Sequence, residues 1–172
     1  MGEGDWGLEI GDCGFALSEV CEAMIIAYTL RPATEADHDF LLGLHLVALR
    51  EAVEATWGWD EAFQRSYFED HWDPGPRRII VMDGEDAGVL QVESYVDEIF
   101  LALILIAPAF QGQGLGTAVI CDVQAQARAA GLPLTLQVLK ANPRARRLYE
   151  RLGFEVVEER EERYVMRWEM GD

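Results

Sequence analysis

Apolar residues recur along this chain with two different periods, and each change of period marks a boundary. From Thr34 the spacing is helical: Phe40, Leu41, Leu44, Val47 and Leu49 recur at helical intervals, with Thr34 placed to cap and Asp37 to complete a capping box. Trp57-Gly58-Trp59-Asp60 interrupts the run, and Asp60 can cap a second, shorter helix reaching about residue 68. After the breaker Asp73-Pro74-Gly75-Pro76 the pattern becomes strand-like, over residues 78–82 and 87–95 around the turn Asp83-Gly84-Glu85-Asp86. Residues 99–106 are almost unbrokenly apolar, as in a strand covered on both faces.

Pro108 ends that strand, and a glycine-rich loop leads into a helix over about 114–130. A strand over 134–139 follows Gly131-Leu132-Pro133. Asn142 can cap a third main helix with Pro143 at its first position, Gly153 stops it, and strands over 154–158 and 163–168 close the chain. With a first strand over 25–30, the order is β-α-α-β-β-β-α-β-α-β-β. That order predicts one α/β domain over residues 24–172, a mixed sheet with helices on both faces. Residues 1–23 hold six acids, no base and no clear period, and read as a flexible extension.

Charge sharpens this picture. The net charge of −17 argues against a nucleic-acid partner. Residues 1–122 hold 23 acidic and 5 basic side chains, whereas 123–151 hold Arg128, Lys140, Arg144, Arg146, Arg147 and Arg151 against Glu150 alone. The one basic region thus begins just after the glycine loop, where it would draw an anionic ligand, while the acidic remainder would attract a cation. No apolar run approaches the ~18 residues of a membrane span. No Lys or Arg precedes Arg31, so the basic start of a secretion signal is missing. Cys13, Cys21 and Cys121 match no metal or redox spacing and read as free thiols. A cytoplasmic protein is expected.

The loop itself is Gln111-Gly112-Gln113-Gly114-Leu115-Gly116. Glycines let a backbone approach a ligand and adopt positive φ, and the first amides of a helix lack internal partners where the dipole is positive. A dinucleotide fingerprint needs glycine where Thr117 stands, and a P-loop needs a Gly-Lys-Ser/Thr ending that is missing. What remains is a pyrophosphate site of another kind, or a tight turn with no ligand.

At this point the chain resembles the bacterial-type GNAT superfamily of acyl-CoA-dependent N-acyltransferases. Gln111, Gly114 and Gly116 match its Gln/Arg-x-x-Gly-x-Gly/Ala signature, and Asn142, Ala145, Leu148, Tyr149, Gly153 and Phe154 match a second one downstream. The resemblance covers about residues 25–168. It implies the GNAT fold, a mostly antiparallel sheet of about seven strands splayed at the cofactor site, and acetyl-CoA as cosubstrate without a metal. Amides from Gln111 to Gly116, including Gly112, Gln113 and Leu115, would hold the pyrophosphate. The pantetheine arm would pair like an added strand with Leu105 and Ile106. The strands carrying Leu105 and Leu136 would splay to admit the thioester. Asn142 would bind the arm or cap its helix, and Arg144 and Arg147 would meet the adenosine phosphates or remain solvated.

Tyr149 is the expected general acid for the leaving thiolate, its alternative being a packed core tyrosine. Glu93 or Glu98 is the candidate base for a protonated amine, and the Ile106 amide a candidate oxyanion donor. Trp57, Trp59, Tyr67, His71 and Trp72, among Asp60, Glu69, Asp70 and Asp73, suit a cationic acceptor or simply pack helices on the sheet. The expected function is acetyl transfer to a primary amine of a small molecule or peptide by direct attack. The competing reading is a non-catalytic acyl-CoA-binding sensor or scaffold. A homodimer is common in the superfamily.

Overall fold

A computed structural model describes residues 26–171, so the extension expected over 1–23 lies outside the described residues. Seven strands form one sheet: β1 (Thr29–Pro32), β2 (Arg77–Met82), β3 (Glu85–Ser94), β4 (Ile99–Ile106), β5 (Leu134–Leu139), β6 (Glu155–Glu159) and β7 (Arg163–Trp168). Their order is β1-β2-β3-β4-β5-β7-β6, and every pairing is antiparallel except β4 with β5. The mixed sheet has helices on both faces, as expected.

On one face lie α4 (Leu115–Ala130) and α5 (Pro143–Arg151), whose Val119, Ile120, Val123 and Tyr149 share a core with Leu90, Leu101, Leu136 and Met166. The other face carries α1 (His38–Ala48) and α3 (Glu61–Asp70), with Leu41, Leu44 and Phe68 packed on Ile79 and Val89. Between α1 and α3 runs α2 (Arg50–Trp57), so the helical stretch before Trp57 is two helices broken at Leu49 rather than one. Neither Gly nor Pro marks that break in the sequence.

Local chemistry explains the boundaries. Asp60 caps α3 by accepting from the Phe63 amide at 3.0 Å. Asp37 accepts from the Thr34 amide at 2.8 Å and from Arg31 at 2.7 Å, and Arg31 also reaches Asp86 at 2.9 Å, tying β1 to the first helical turn and to β3. Asp83 and Gly84, at φ 54° and 78°, make the two-residue turn that sets Met82 opposite Glu85. The first strand lies over Thr29–Pro32, later than 25–30, where it pairs with β2. Tyr28 before it donates to Asp122 of α4.

Cys121 is disulfide-bonded, which corrects the expectation of a free thiol there; Cys13 and Cys21 lie outside the described residues. Among the described residues no helix is long and apolar enough to cross a membrane.

Candidate active site

Pairing between β4 and β5 covers only three positions, ending at Leu101 opposite Leu136. Pairing of β4 with β3 continues to Ile106 opposite Gly88. The step from Val92–Leu101 to Gln91–Leu103 leaves Ala102 as an extra residue, a bulge that bends β4 where it parts from β5. The predicted splay is therefore present, and it starts at the bulge.

The alternation of antiparallel hydrogen bonds shows which backbone groups face the gap. Ala107 donates to the Ala87 carbonyl at 2.8 Å, so residues 103, 105 and 107 direct their backbone groups to β3. Ile104 and Ile106 then direct theirs to the side where β5 has left. The side of β4 open to an added strand thus belongs to Ile104 and Ile106; Leu105, expected to pair with the arm, spends its backbone on β3.

Gly88 holds this geometry together. A Cβ built on it would lie 2.3 Å from the Leu105 carbonyl oxygen, a backbone atom that no rotamer change can move. β3 can approach the bent part of β4 only because residue 88 has no side chain.

The glycine loop follows at the open end of β4. Gly112 and Gly114 stand at φ 73° and 85°, where a side chain would be strained. Gln111 donates from Nε2 to the Ile106 carbonyl at 2.9 Å, bracing the loop on the strand, and Gln113 donates to the Ala109 carbonyl at 2.9 Å. Gly114 is the N-cap of α4 and has no side chain to accept from the first turn. The N-termini of α3 and α5, by contrast, are capped by Asp60 and Asn142. The first turn of α4 also contains no acid, in a protein with 31 acidic residues. Amides at Leu115, Gly116 and Thr117 are thus left for an anion.

The first turns of α5 close on the same place. Arg144 donates from Nη1 to Gln111 Oε1 at 3.4 Å. A Cβ on Gly116 would lie 3.9 Å from Ile106 and 4.0 Å from Leu148, so loop, strand and helix meet there. Asn142 accepts from the Ala145 amide at 3.1 Å, which makes it the helix cap. Arg147 is exposed. Tyr149 is 8% exposed, edge-on to Phe154 at 5.7 Å, and burial pushes its phenol up to about 12. Among the described residues its hydroxyl has no hydrogen-bond partner, and it is not one of the sealed polar atoms.

The two candidate bases lie on the α1–α3 face. Glu93, opposite Phe100, accepts from Gln91 at 2.8 Å and from the Tyr95 hydroxyl at 2.5 Å. Glu98 precedes β4 and accepts from Thr135 at 2.9 Å. The aromatic wall expected from Trp57 to Trp72 is divided. Tyr67 stacks on Phe63 and on His71, and all three are exposed. Trp72 turns inward, donating to Glu35 at 2.8 Å. Among the described residues no group of three or more His, Cys, Asp or Glu could hold a metal ion.

Sequence reasoning missed Gly88, Ile104 and Ala102. A glycine inside a strand pattern was the available signal for the first; the bulge left none.

Comparison with known proteins agrees with this geometry. The model of the acetyltransferase (GNAT) family matches residues 46–154. The PaiA N-acetyltransferase of Thermoplasma acidophilum, solved in complex with coenzyme A, superposes with a TM-score of 0.67 at 13% identity, over 84% of this chain and 100% of its own. The ribosomal-protein-S18-alanine N-acetyltransferase of Escherichia coli superposes with a TM-score of 0.60 at 21% identity, over 85% and 97%. An acetyltransferase of Thermus thermophilus gives 0.61 at 22%, over 84% and 98%. At these identities the likeness is one of fold. Comparison with the curated proteins gave no match.

Proposed function

This chain belongs to the GNAT acetyltransferase family, and we propose that it moves an acetyl group from acetyl-CoA directly onto a primary amine, with Tyr149 as general acid. The observation that carries the reading is the coincidence of two unpaired sets of backbone donors: β4 beyond Leu101, and the uncapped start of α4 at the end of the same strand.

Coenzyme A supplies the acetyl group as a thioester, whose leaving group is a thiolate. Amides of the Gln111–Gly116 loop and of the first turn of α4 hold the pyrophosphate. Arg144 and Arg147 meet the adenosine phosphates, and Asn142 keeps α5 in place. Ile106 pairs with the arm. Since the loop fixes the far end, the acetyl group comes nearest the apex of the splay, and Ile104 replaces Ile106 as the amide aimed at the oxyanion.

The acceptor is a cationic amine that arrives protonated on the α1–α3 face. Glu93 accepts its proton, directly or through water, before attack. With its phenol pushed up to about 12 by burial, Tyr149 is protonated at neutral pH and faces the leaving sulfur as a hydrogen-bond donor. A phenol held that high gives up its proton only as the sulfur takes on full charge, and the amine's second proton replaces it. Coenzyme A leaves as the thiol.

Release of free thiol from acetyl-CoA, measured against a panel of primary amines, tests the reading. Tyr149→Phe should lower kcat by ~10²-fold or more while leaving the affinity for coenzyme A within about twofold. A wild-type protein that binds acetyl-CoA yet acetylates no amine would instead be a sensor or scaffold.

A further inference from the structure

A row of residues crosses the α1–α3 face beside the splay. Arg77 of β2 stands opposite Gln91 of β3, which stands opposite Leu103 of β4. Gln91 donates to Glu93 at 2.8 Å. A base and an acid thus flank Gln91 next to the part of β4 that has lost its partner.

Arg77 lacks what a half-buried guanidinium normally has. It lies 5.7 Å from the Phe68 ring and 5.4 Å from the Trp72 ring, and burial lowers its pKa. Its Nε is sealed without a hydrogen-bond partner, and its bond to the His71 carbonyl is long, at 3.5 Å. Among the described residues no carboxylate is within ion-pair distance of it, although the chain has 31 acids for 14 Lys and Arg. Asp73, whose charge it feels, is engaged with the Gly75 amide at 2.9 Å. A desolvated charge without a counter-ion is costly, so such a residue is explained most simply by a ligand that brings one.

There is room for it. Arg77 and His45 border a cavity of about 30 Å³ whose walls include Phe68, Val89, Leu103 and Leu105. That is space for about two waters, or for the two oxygens of a carboxylate. Burial, with the Arg77 charge beside it, pushes the His45 imidazole down, so Arg77 is the stronger cation bordering the cavity.

We propose that Arg77 binds a carboxylate carried by the acceptor, so that the substrates are amino carboxylates with the amine directed past Glu93 to the splay. The amine half of this statement rests on the acetyl-transfer reading, whereas the carboxylate site does not. A guanidinium lying over the Phe68 and Trp72 rings keeps its edge for two parallel charge-assisted hydrogen bonds, a geometry that an ammonium cannot copy.

Calorimetric titration of N-acetylated amino acids and their C-terminal amides into the free and the CoA-bound protein tests the site. At least one acid should bind tighter than its amide by about tenfold or more. The gap should vanish in Arg77→Met and shrink without vanishing in Arg77→Lys; if the Met variant does not fold, the wild-type gap and the Lys variant decide. Equal binding of acids and amides, or no acid bound at millimolar concentration, overturns the proposal. Because the titration needs no turnover, an intact gap in a protein that acetylates nothing would uphold the Arg77 site and remove the transfer reading. Amine turnover without any gap would do the reverse.

Discussion

Around the gap between β4 and β5 the groups offered to a ligand are mostly backbone: the amides of Ile104 and Ile106, and those of the first turn of α4 behind Gly114. Beneath α1 and α3 they are side chains: Arg77, His45, Gln91 and Glu93 on the sheet and its first helix. A backbone site depends on register and on a few positions where only glycine fits. A side-chain site can change its ligand one residue at a time without disturbing the fold. The donor of the reaction is therefore encoded in geometry, and its acceptor in chemistry.

The sharpest way to break this contrast is to disturb the geometry with the smallest side chain. Gly88→Ala, whose methyl group would meet the Leu105 carbonyl, should cost about 3 kcal/mol or more in urea unfolding, far beyond what a surface methyl costs. A near-neutral result would mean that β3 and β4 have slack at the site. On the side-chain half, Glu93→Gln should lower kcat by ~10²-fold at neutral pH, equivalent to about 2.7 kcal/mol, with Glu98→Gln nearly silent. The opposite ranking would move the base to the start of β4.

Acid should weaken the helical half first. Asp37 is held down at about 2, chiefly by the hydrogen bond from Arg31. Its folded value lies below its ordinary one of 3.8, so as pH falls the unfolded chain takes up the proton first. The stabilisation is complete above the ordinary value and disappears as pH falls through about 2, removing on the order of 1–2 kcal/mol given the partly exposed Arg31. Melting of wild type and Asp37→Asn should differ clearly at about pH 5, less at about pH 2.5, and converge only below about pH 2. The smallest effect belongs to the loop brace: Gln111→Ala removes the bond to Ile106 and should weaken coenzyme A binding by about 0.5–1.5 kcal/mol. Unchanged affinity would assign that bond to the fold alone.

The same contrast explains what could be read in the sequence. The loop, the strand before it and the helix after it were legible because glycine, proline and cap residues have few structural uses, and Gly112, Gly114 and Asn142 each fill one. The splay was anticipated, but the bulge at Ala102 that places it sets which residues face the gap, and so gives the backbone of Leu105 to β3 and leaves Ile104 and Ile106 on the open side. No residue type announces a bulge in an all-apolar strand. The acceptor side was less legible still. Aromatic density between Trp57 and Trp72 pointed to a wall, yet helix phase turns Tyr67 and His71 outward and Trp72 inward. Arg77 carried no sequence signal, because its lack of an acidic partner exists only in three dimensions. The free-thiol reading of Cys121 failed because cysteine spacing alone does not reveal a disulfide.

In the proposed reaction acetyl-CoA binds as an added strand on the unpaired side of β4. Amide hydrogen exchange, followed residue by residue with and without acetyl-CoA, tests it directly. Strong new protection is expected at Ile104 and Ile106 and in the first turn of α4, with Leu103 and Leu105 already protected in the free protein. Binding that leaves Ile104 and Ile106 exchanging as before would contradict it.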